Sequence, residues 1–280
     1  MKISIITINY NNREGLLKTI ESVIYQTWTD FEFIVIDGGS KDGSVDAIKK
    51  TSMIDYWVSE KDHGIYHAMN KGIDVAKGEY CIFMNSGDCF YDSNVLEYVV
   101  PHLCGYDVVC GNTSLSDGSY KEAIESPSLL FFYEKTLNHQ SAFIKTENLK
   151  KYHYDESLDF VSDWKFWLQT LILDDGTYKR INTKVAIYDV GGYSALNREK
   201  CNDERERVLN DMFPSKVLID YLHFVKGQGY SETNYDKLFL KVRQYNYAPI
   251  IYKISLFLVR LISLLKPSAK FARKISYNPF

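Results

Sequence analysis

The sequence predicts an α/β fold with a mainly parallel central sheet. Strand-like apolar segments alternate with helical patterns in the N-terminal part of the chain, which is typical of right-handed βαβ units. Two predicted strands lead into acidic residues, and apolar residues make up 45% of the chain, as in ordinary globular proteins. The strands are predicted at 2–8, 31–37, 54–59 and 79–85, and the helices at about 13–26, 42–50, 64–77 and 93–103.

The first two elements have clear local causes. The apolar run at 2–8 is too short for a signal peptide and is interpreted as a strand. The apolar residues that follow have the 3.6-residue period of a helix, with Asn11 or Asn12 as its cap. They are Leu16, Leu17, Ile20, Val23 and Ile24.

From about residue 105 the pattern changes to shorter strands around one helix. The strands are predicted at 106–113, 119–124, 141–145 and 178–188, and the helix at about 163–174. After Tyr193 the chain is predicted to be helical, first as a charged stretch from Arg198 to Asp211 and then as a basic, apolar tail.

The five cysteines are an odd number and show no Cys-x-x-Cys spacing. Cys81 and Cys110 lie in strand-like apolar runs, where a thiol behaves as a small apolar side chain. We therefore expect reduced core residues in a cytosolic protein rather than disulfides.

Acidic residues follow two of the predicted strands. Asp37 ends one apolar strand, and Asp88 follows the strand near residue 80 after a short polar turn. Ligand sites in open α/β sheets lie beyond the carboxyl ends of the strands, and carboxylates there can hold a divalent cation. The two acidic strand ends therefore predict a site for a nucleotide and its metal.

The loop after Asp37 is rich in glycine and precedes a helix. Gly39 lets the backbone approach a ligand closely, and the Asp37 carboxylate can accept a hydrogen bond from a nucleobase or a ribose. The loop has neither the Walker spacing nor the Gly-x-Gly-x-x-Gly fingerprint of dinucleotide sites. A plain strand-to-helix turn capped by Asp42 explains the pattern equally well.

The segment at 62–72 contains further candidate binding residues. Lys71 could neutralise a diphosphate, although a solvated lysine is the simpler alternative. His63 and His67 have an i, i+4 spacing that can suit zinc, but no further ligands stand nearby, which disfavours zinc.

Asp163 begins an amphipathic helix, where the helix dipole favours a charged carboxylate. That position suits a general base, but spacing alone favours a capping residue.

Taken in order, these motifs resemble the family 2 glycosyltransferases, whose fold is of the GT-A type. The similarity runs from Ile3 to about Ser194, and the ordered set is specific although each motif alone is weak. The matching segments are 4–11, 37–44, 64–72, 78–80, 84–88, 138–140, 162–163 and 191–194. The pattern is most similar to bacterial members that build capsule, O-antigen or exopolysaccharide repeat units.

The resemblance implies an inverting hexosyl- or N-acetylhexosaminyl-transferase that uses a nucleotide sugar, most often a UDP-sugar. Asp163 matches the catalytic base that deprotonates the acceptor hydroxyl, and His139 and Gln140 match the pocket for the donor sugar or the acceptor. Nucleotide and donor contacts are implied for Thr7, Asn9, Asp37, Gly39, Ser40, Lys71, Asn85 and Asp88.

The resemblance also implies a divalent cation, Mn²⁺ or Mg²⁺, held by Asp88. This residue matches the last acidic position of the family's metal-binding motif. The usual Asp-x-Asp cluster is reduced here to Asn85-Ser86-Gly87-Asp88. Asn85 can still contact a ribose or a metal, but the lost charge leaves the metal affinity open. In this interpretation Asp163 and Asp88 flank the donor sugar from opposite sides.

The implied organisation is a GT-A catalytic domain at 1–195 and a helical C-terminal region at 196–280. Within the catalytic domain, 1–115 would form the nucleotide-binding half and 116–195 the acceptor half. The expected partners are a nucleotide sugar and a glycan or lipid-linked acceptor, without nucleic acid. An oligomer remains open.

The C-terminal tail is strongly basic. Residues 241–280 contain eight Lys or Arg and no Asp or Glu, on a chain whose formal net charge is −3. The apolar stretch at 250–265 is too short to span a bilayer, which takes about 20 residues. An interfacial helix over 250–274 would place a cytoplasmic protein peripherally on the inner face of the membrane. A helix docked on the catalytic domain or on a second subunit explains the tail equally well.

Two alternatives to an active glycosyltransferase remain at this point. A catalytically silent nucleotide- or glycan-binding module on the same fold would explain the reduced metal motif, whereas the presence of Asp163 argues against it. A nucleotidyltransferase is disfavoured, because a glycine-rich phosphate loop near the N-terminus is missing.

Overall fold

A computed structural model describes residues 3–189 and 198–219 of the 280-residue chain. The chain divides into two compact units, Met1–Met212 and Phe213–Phe280. The described part of the second unit is short and contains one helical segment at 215–219. The basic tail at 250–274, including the predicted helix at 250–265, lies outside the described residues.

Nine strands in the described residues form one mixed sheet in the first unit. The spatial order is β3-β2-β1-β4-β8-β6-β9-β5, and β7 pairs with β6. The strands are β1 (Ile3–Asn9), β2 (Phe31–Asp37), β3 (Tyr56–Ser59), β4 (Tyr80–Phe83), β5 (Cys89–Phe90), β6 (Val108–Leu115), β7 (Tyr120–Lys121), β8 (Ala142–Lys145) and β9 (Tyr178–Tyr188).

The pairing is parallel through β3, β2, β1 and β4, and again between β6 and β9. Strand β8 is antiparallel to both of its neighbours, β4 and β6. Six strands therefore run in one direction, and the prediction of a mainly parallel sheet is confirmed.

Eight α-helices lie in the described part of the first unit. They are α1 (Arg13–Ile24), α2 (Ser44–Lys50), α3 (Ile65–Val75), α4 (Val95–Val99), α5 (Leu129–Glu134), α6 (Thr146–Tyr152), α7 (Ser162–Trp167) and α8 (Arg198–Met212). Short 3₁₀ turns occupy Val100–His102 and His139–Ser141, and α7 continues as a π-helix over Leu168–Leu173.

Helix α1 begins at the cap that its sequence predicts. The side chain of Asn12 accepts a hydrogen bond from the backbone N–H of Gly15 at 3.1 Å. Leu16, Ile20 and Val23 are buried, as the helical period requires. Leu17 is 37% exposed, so the apolar face of the helix is narrower than predicted.

Several boundaries differ from the predicted ones. The predicted helix at 93–103 is only a short α-helix followed by a 3₁₀ turn that contains Pro101, which has no N–H to donate. The predicted strand at 119–124 pairs only at Tyr120–Lys121. Strand β5 and helices α5 and α6 had no sequence prediction, because each is too short to show a clear period.

Both faces of the sheet are covered by apolar side chains. Alternate residues of β1, including Ile3 and Ile5, join the cluster that contains Leu16 of α1. On the other face, helix α3 approaches β1 closely at Gly72, where a Cβ atom would lie 2.5 Å from Cγ2 of Ile6. Burial on both faces explains why β1 and β2 are almost continuously apolar.

No disulfide joins any of the five cysteines. Cys81 and Cys110 are buried in the sheet, as predicted. Burial raises the pKa of each of these two thiols to about 12.

A buried carboxylate connects β2 to its neighbours. Oε1 of Glu32 accepts hydrogen bonds from Oγ of Ser4 at 2.6 Å, from the N–H of Lys77 at 2.5 Å and from the N–H of Gly78 at 2.9 Å. Gly78 fits here because a Cβ atom would lie 2.5 Å from the backbone nitrogen of Ser4. The contact fixes the entry into β4, and therefore the position of the residues that follow that strand.

We expect Glu32→Ala to lower the free energy of unfolding by about 3 kcal/mol, since it leaves buried donors without an acceptor. The matched control is Glu79→Ala, an exposed glutamate beside the same strand, which should change stability by less than about 0.5 kcal/mol. Urea denaturation of both variants measures the difference. Equal effects of the two substitutions would contradict the structural role of Glu32.

Candidate active site

A cavity of about 260 Å³ lies at the carboxyl ends of the parallel strands in the first unit. Loops after β1, β4 and β9, the 3₁₀ turn before β8, and helices α3 and α7 contribute to its wall. The lining residues are Asn12, Ile65, Tyr66, Met69, Asn85, Ser86, Asp88, His139, Gln140, Asp159, Phe160, Asp163, Tyr188 and Asp189. Five predicted site residues therefore share one cavity: Asn85, Asp88, His139, Gln140 and Asp163.

The antiparallel strand β8 explains how two of these residues meet. Asn85 follows the carboxyl end of β4, and His139 lies just before the amino end of β8. Because β4 and β8 run in opposite directions side by side, those two ends lie at the same edge of the sheet. Nδ2 of Asn85 lies 3.3 Å from Nε2 of His139.

The carboxylate of Asp163 is contacted at both oxygens. The hydroxyl of Tyr66 donates to Oδ1 at 3.3 Å, and Nδ1 of His139 lies 3.3 Å from Oδ2. With the proton of a neutral imidazole on Nδ1, His139 donates to Asp163 and can accept from Asn85. Asp163 lies in the first turn of α7 and faces the cavity, as a group that accepts a proton from a bound substrate must.

Asp88 is part of the cavity wall and is almost completely buried, at 4% exposure. Its Oδ1 accepts a hydrogen bond from the backbone N–H of Asp189 at 3.0 Å. Burial raises the pKa of Asp88 to about 6, although the Asp189 N–H, the charge of His139 and a hydrogen bond from Gln140 act in the opposite direction.

The donor atoms near Asp88 fit a hard divalent cation. Oδ1 of Asn85 is buried and has no hydrogen-bond partner in the part of the chain that the structure describes. Together with the carboxylate of Asp88 it offers oxygen ligands of the kind that Mn²⁺ and Mg²⁺ accept. No group of three or more His, Cys, Asp or Glu side chains arranged to hold a metal occurs among the described residues. Any cation would therefore depend on further oxygen ligands, such as phosphate or water.

Asp37 lies in a compact hydrogen-bond network that reaches the cavity wall, because Oδ1 of Asn9 accepts from Oγ of Ser86 at 2.9 Å. Oδ1 of Asp37 accepts from Nδ2 of Asn9 at 2.7 Å and from Oγ of Ser40 at 2.6 Å, and Oδ2 accepts from Oγ of Ser59 at 2.6 Å. Burial alone would raise the pKa of Asp37, but these hydrogen bonds and the N–H of Ser40 hold it below its usual value. The carboxylate is therefore ionised at neutral pH.

The loop after Asp37 has the conformation that its glycines predict. Gly39 has a positive φ of 80°, which a residue with a side chain rarely adopts. The ring of the exposed Tyr10 lies close to Gly38, where a Cβ atom would be 3.1 Å from Cδ2 of the ring. An exposed aromatic face thus lies next to the Asp37 network.

Two predicted donor-binding residues, Thr7 and Lys71, neither line the cavity nor hydrogen-bond to Asp37. Thr7 is fully buried, and its hydroxyl donates to the carbonyl of Met84 at 2.7 Å. Nζ of Lys71 forms ion pairs with Glu60 at 3.0 Å and Asp62 at 2.6 Å. Burial alone would lower the pKa of Lys71, but its hydrogen bonds to Asp62 and Glu60 raise it. The donor-binding roles of Thr7 and Lys71 stay predictions.

Three residues that sequence reasoning did not single out form hydrogen bonds to residues of the cavity wall. Tyr66 contacts Asp163 across a separation of 97 residues, and Asp189 contacts Asp88 across 101 residues. Glu204 on α8 accepts hydrogen bonds from the backbone just before α7. Tyr66 lies in the motif at 64–72 and Asp189 directly follows the predicted strand at 178–188, but no local spacing shows which side chain reaches the cavity. Only the fold brings these residues to the site.

Glu204 holds the backbone that leads into α7. Its Oε1 accepts from the N–H of Asp159 at 2.8 Å, and its Oε2 accepts from the N–H of Phe160 at 2.9 Å. Both of these loop residues line the cavity and precede Asp163 by a few positions. The position of the loop therefore depends on helix α8.

The match to known proteins agrees with this arrangement. The family model "Glycosyl transferase family 2" matches residues 4–158. The α/β architecture, the mainly parallel sheet and the cavity at its carboxyl edge correspond to the GT-A fold. The chain belongs to glycosyl transferase family 2.

Relatives with curated names are glycosyltransferases as well. An uncharacterized glycosyltransferase of Mycobacterium tuberculosis is 41% identical over 105 residues, which are 37% of this chain and 40% of that protein. A PGL/p-HBAD biosynthesis glycosyltransferase of Mycobacterium bovis is 28% identical over 151 residues, which are 51% and 58% of the two chains. This chain thus spans less than two thirds of the length of these relatives.

Solved structures show the same fold. Residues 1–349 of Staphylococcus aureus TarS, crystallised in complex with UDP, align with a TM-score of 0.56 and 19% identity, over 68% of this chain and 61% of that one. The mannosyltransferase PcManGT of Pyrobaculum calidifontis, in complex with GDP-Man and Mn²⁺, aligns with a TM-score of 0.58 and 15% identity, over 95% and 81% of the chains. At these identities the likeness concerns the fold alone.

We expect Glu204→Ala to lower the free energy of unfolding by about 2 kcal/mol, because two backbone N–H groups lose a charged acceptor. Glu204→Gln keeps one good acceptor oxygen and should cost about half as much. Glu206→Ala, an exposed position on the same helix, is the matched control and should be nearly neutral. Chemical denaturation of the three variants measures these differences, and equal stability of Glu204→Ala and the control would contradict the assignment.

Proposed function

We propose that this protein is an inverting glycosyltransferase that moves a hexosyl or N-acetylhexosaminyl group from a UDP-sugar to a hydroxyl of a lipid-linked or polysaccharide acceptor. One observation supports the proposal most directly. Asp163, with two hydrogen-bonding neighbours, and Asp88, with the oxygen of Asn85 nearby, line the same cavity at the carboxyl edge of the sheet. A base and a candidate site for the donor diphosphate are thus available in one space.

The nucleoside would lie against the Asp37 network. Asn9, Ser40 and Gly39 belong to that network or to its loop, and the exposed ring of Tyr10 can stack on a nucleobase. TarS in complex with UDP-GlcNAc and PcManGT in complex with GDP-Man are two proteins of this fold that bind nucleotide sugars. The choice of uridine over guanosine rests on the resemblance stated above.

The charge of the cavity supports a cation as partner of the diphosphate. Four of its lining residues are aspartates, namely Asp88, Asp159, Asp163 and Asp189, and no Lys or Arg lines it among the described residues. A diphosphate in such surroundings needs a counter-charge. A divalent cation, Mn²⁺ or Mg²⁺, would neutralise the departing diphosphate when bound, and Asp88 and Asn85 would hold it.

In the chemical step, Asp163 acts as the general base. Its carboxylate takes the proton of the acceptor hydroxyl while the oxygen of that hydroxyl forms a bond to the anomeric carbon. The bond from this carbon to the diphosphate oxygen breaks, and the electron pair leaves with the nucleoside diphosphate. Displacement from the opposite face inverts the configuration of the sugar. His139 and Gln140 would contact the sugar that is transferred or the acceptor.

The cellular setting belongs to the same proposal. A cytoplasmic enzyme that uses nucleotide sugars and lipid-linked acceptors would act at the inner face of the membrane, which agrees with the basic tail at 250–274. No helix of the described residues is long and apolar enough to cross a membrane. The proposal also includes a catalytic domain that ends near residue 195. Within it, residues 1–115 would bind the nucleotide and residues 116–195 would bind the acceptor.

We expect Asp163→Asn to keep donor binding but to lower the transfer rate by at least ~100-fold, because only the base is removed. Transfer is measured with UDP-, GDP- and dTDP-sugars and lipid-linked or oligosaccharide acceptors, and donor binding by calorimetry. Asp211→Asn, at an exposed position on α8, is the matched control and should be fully active. Wild-type turnover in Asp163→Asn would exclude Asp163 as the base. Donor binding without transfer by the wild type to any acceptor would favour a silent binding module.

We expect the binding of UDP to weaken by at least ~10-fold when the divalent cation is chelated, and similarly in Asp88→Ala at saturating Mn²⁺. Asp88→Asn retains an oxygen that can accept from the N–H of Asp189, so it separates loss of the charge from loss of that hydrogen bond. Titration calorimetry with and without Mn²⁺ or Mg²⁺ measures both effects. Equal UDP affinity with and without the cation would show that the protein alone neutralises the diphosphate.

A further inference from the structure

Tyr66 lies where a buried helix face meets the base. It belongs to the first turn of α3 and is 8% exposed, and its ring packs on that of Tyr154 with centroids 5.5 Å apart. Its hydroxyl reaches Oδ1 of Asp163 at 3.3 Å. The ring is thus fixed by packing, while its one polar atom points at the carboxylate.

The hydroxyl of Tyr66 is a permanent hydrogen-bond donor. Burial raises the pKa of this phenol well above 10, and the negative charge of Asp163 raises it further. Tyr66 therefore stays neutral over the whole range in which an enzyme works. A neutral phenol next to an ionised carboxylate can only donate to it.

Two donors together restrict the rotation of the Asp163 carboxylate. Tyr66 contacts one oxygen and His139 the other. An ionised carboxylate can accept about four hydrogen bonds, so positions remain free for an acceptor hydroxyl. The group keeps its capacity to accept a proton, but its plane is fixed before the substrate arrives. Misplacement of a reacting group by as little as about 1 Å can cost a large part of a catalytic rate.

We propose that Tyr66 is a positioning residue, whose hydroxyl holds the Asp163 carboxylate in the orientation that accepts the proton of the acceptor hydroxyl. The inference rests on the proposed role of Asp163 as the base. Tyr66 acts through Asp163 and needs no contact with the donor.

The structure contains a matched control in the same aromatic stack. Tyr154 is fully buried and packs on Tyr66, Phe83 and Phe166. Its backbone is held by the side chain of Asn70 at 2.9 Å and 2.8 Å. Unlike Tyr66, its hydroxyl has no hydrogen-bond partner among the described residues. The two substitutions each remove one phenol hydroxyl from the same aromatic stack, and only that of Tyr66 has a hydrogen bond to Asp163.

The first arm of the experiment compares Tyr66→Phe and Tyr154→Phe in the full-length protein. We expect Tyr66→Phe to lower kcat on the order of tenfold, the effect of losing one hydrogen bond to a charged group, with UDP affinity unchanged. Tyr154→Phe should keep kcat within about twofold. Thermal unfolding of both variants is measured in parallel. Similar kcat in the two variants, or a Tyr66→Phe protein that loses activity only because it unfolds earlier than Tyr154→Phe, would overturn the proposal.

The second arm is a double-mutant cycle with Asp163→Asn. If Tyr66 acts through Asp163, Tyr66→Phe causes no further loss once Asp163→Asn is present. A further tenfold loss in that background would overturn the positioning role while leaving Asp163 as the base. Full activity of Asp163→Asn alone would instead overturn the proposed function and this inference with it, so the two failures are distinguishable.

Discussion

The hydrogen bonds to the buried carboxylate of Asp37 hold three strand ends together, and the rest of the site depends on them. Asn9 ends β1, Asp37 ends β2 and Ser59 ends β3, so one side chain connects three neighbouring strands. Ser40 adds the loop that follows. Because the lowered pKa keeps the carboxylate ionised at neutral pH, these bonds persist there. This edge of the sheet thus has its shape before any ligand binds.

The part of the cavity wall that contains His139 depends on one antiparallel strand. Strand β8 is inserted antiparallel between β4 and β6, and the turn before it carries His139 to the residues that follow β4. His139 in turn contacts both Asn85 and Asp163. The imidazole of His139 therefore connects the candidate base, Asp163, to Asn85 of the reduced acidic motif. The amide of Asn85 can donate a hydrogen bond to the ring nitrogen of His139, which an ionised carboxylate at this position could not do.

Sequence patterns predict those parts of the fold that are determined by residues close together in the chain. The alternation of strands and helices through β4, the Asn12 cap and the acidic residues after β2 and β4 are all read from short windows. The rest depends on distant contacts. The ion pairs of Lys71 and the link from Tyr66 to Asp163 are decided by which elements become neighbours, and strand β5 pairs over just two residues. No periodicity or residue spacing in the sequence predicts such long-range contacts.

The buried thiols of Cys81 and Cys110 give the sheet its own reporters of internal motion. A thiol reacts as its thiolate, and with a pKa near 12 each of these groups is almost entirely protonated at neutral pH and shielded from reagents. Exposed Cys104 is accessible in the folded state. A thiol-specific label would therefore modify Cys104 first and reach β4 or β6 only when those strands separate. The rate of the slow labelling phase would then measure how often the centre of this sheet opens.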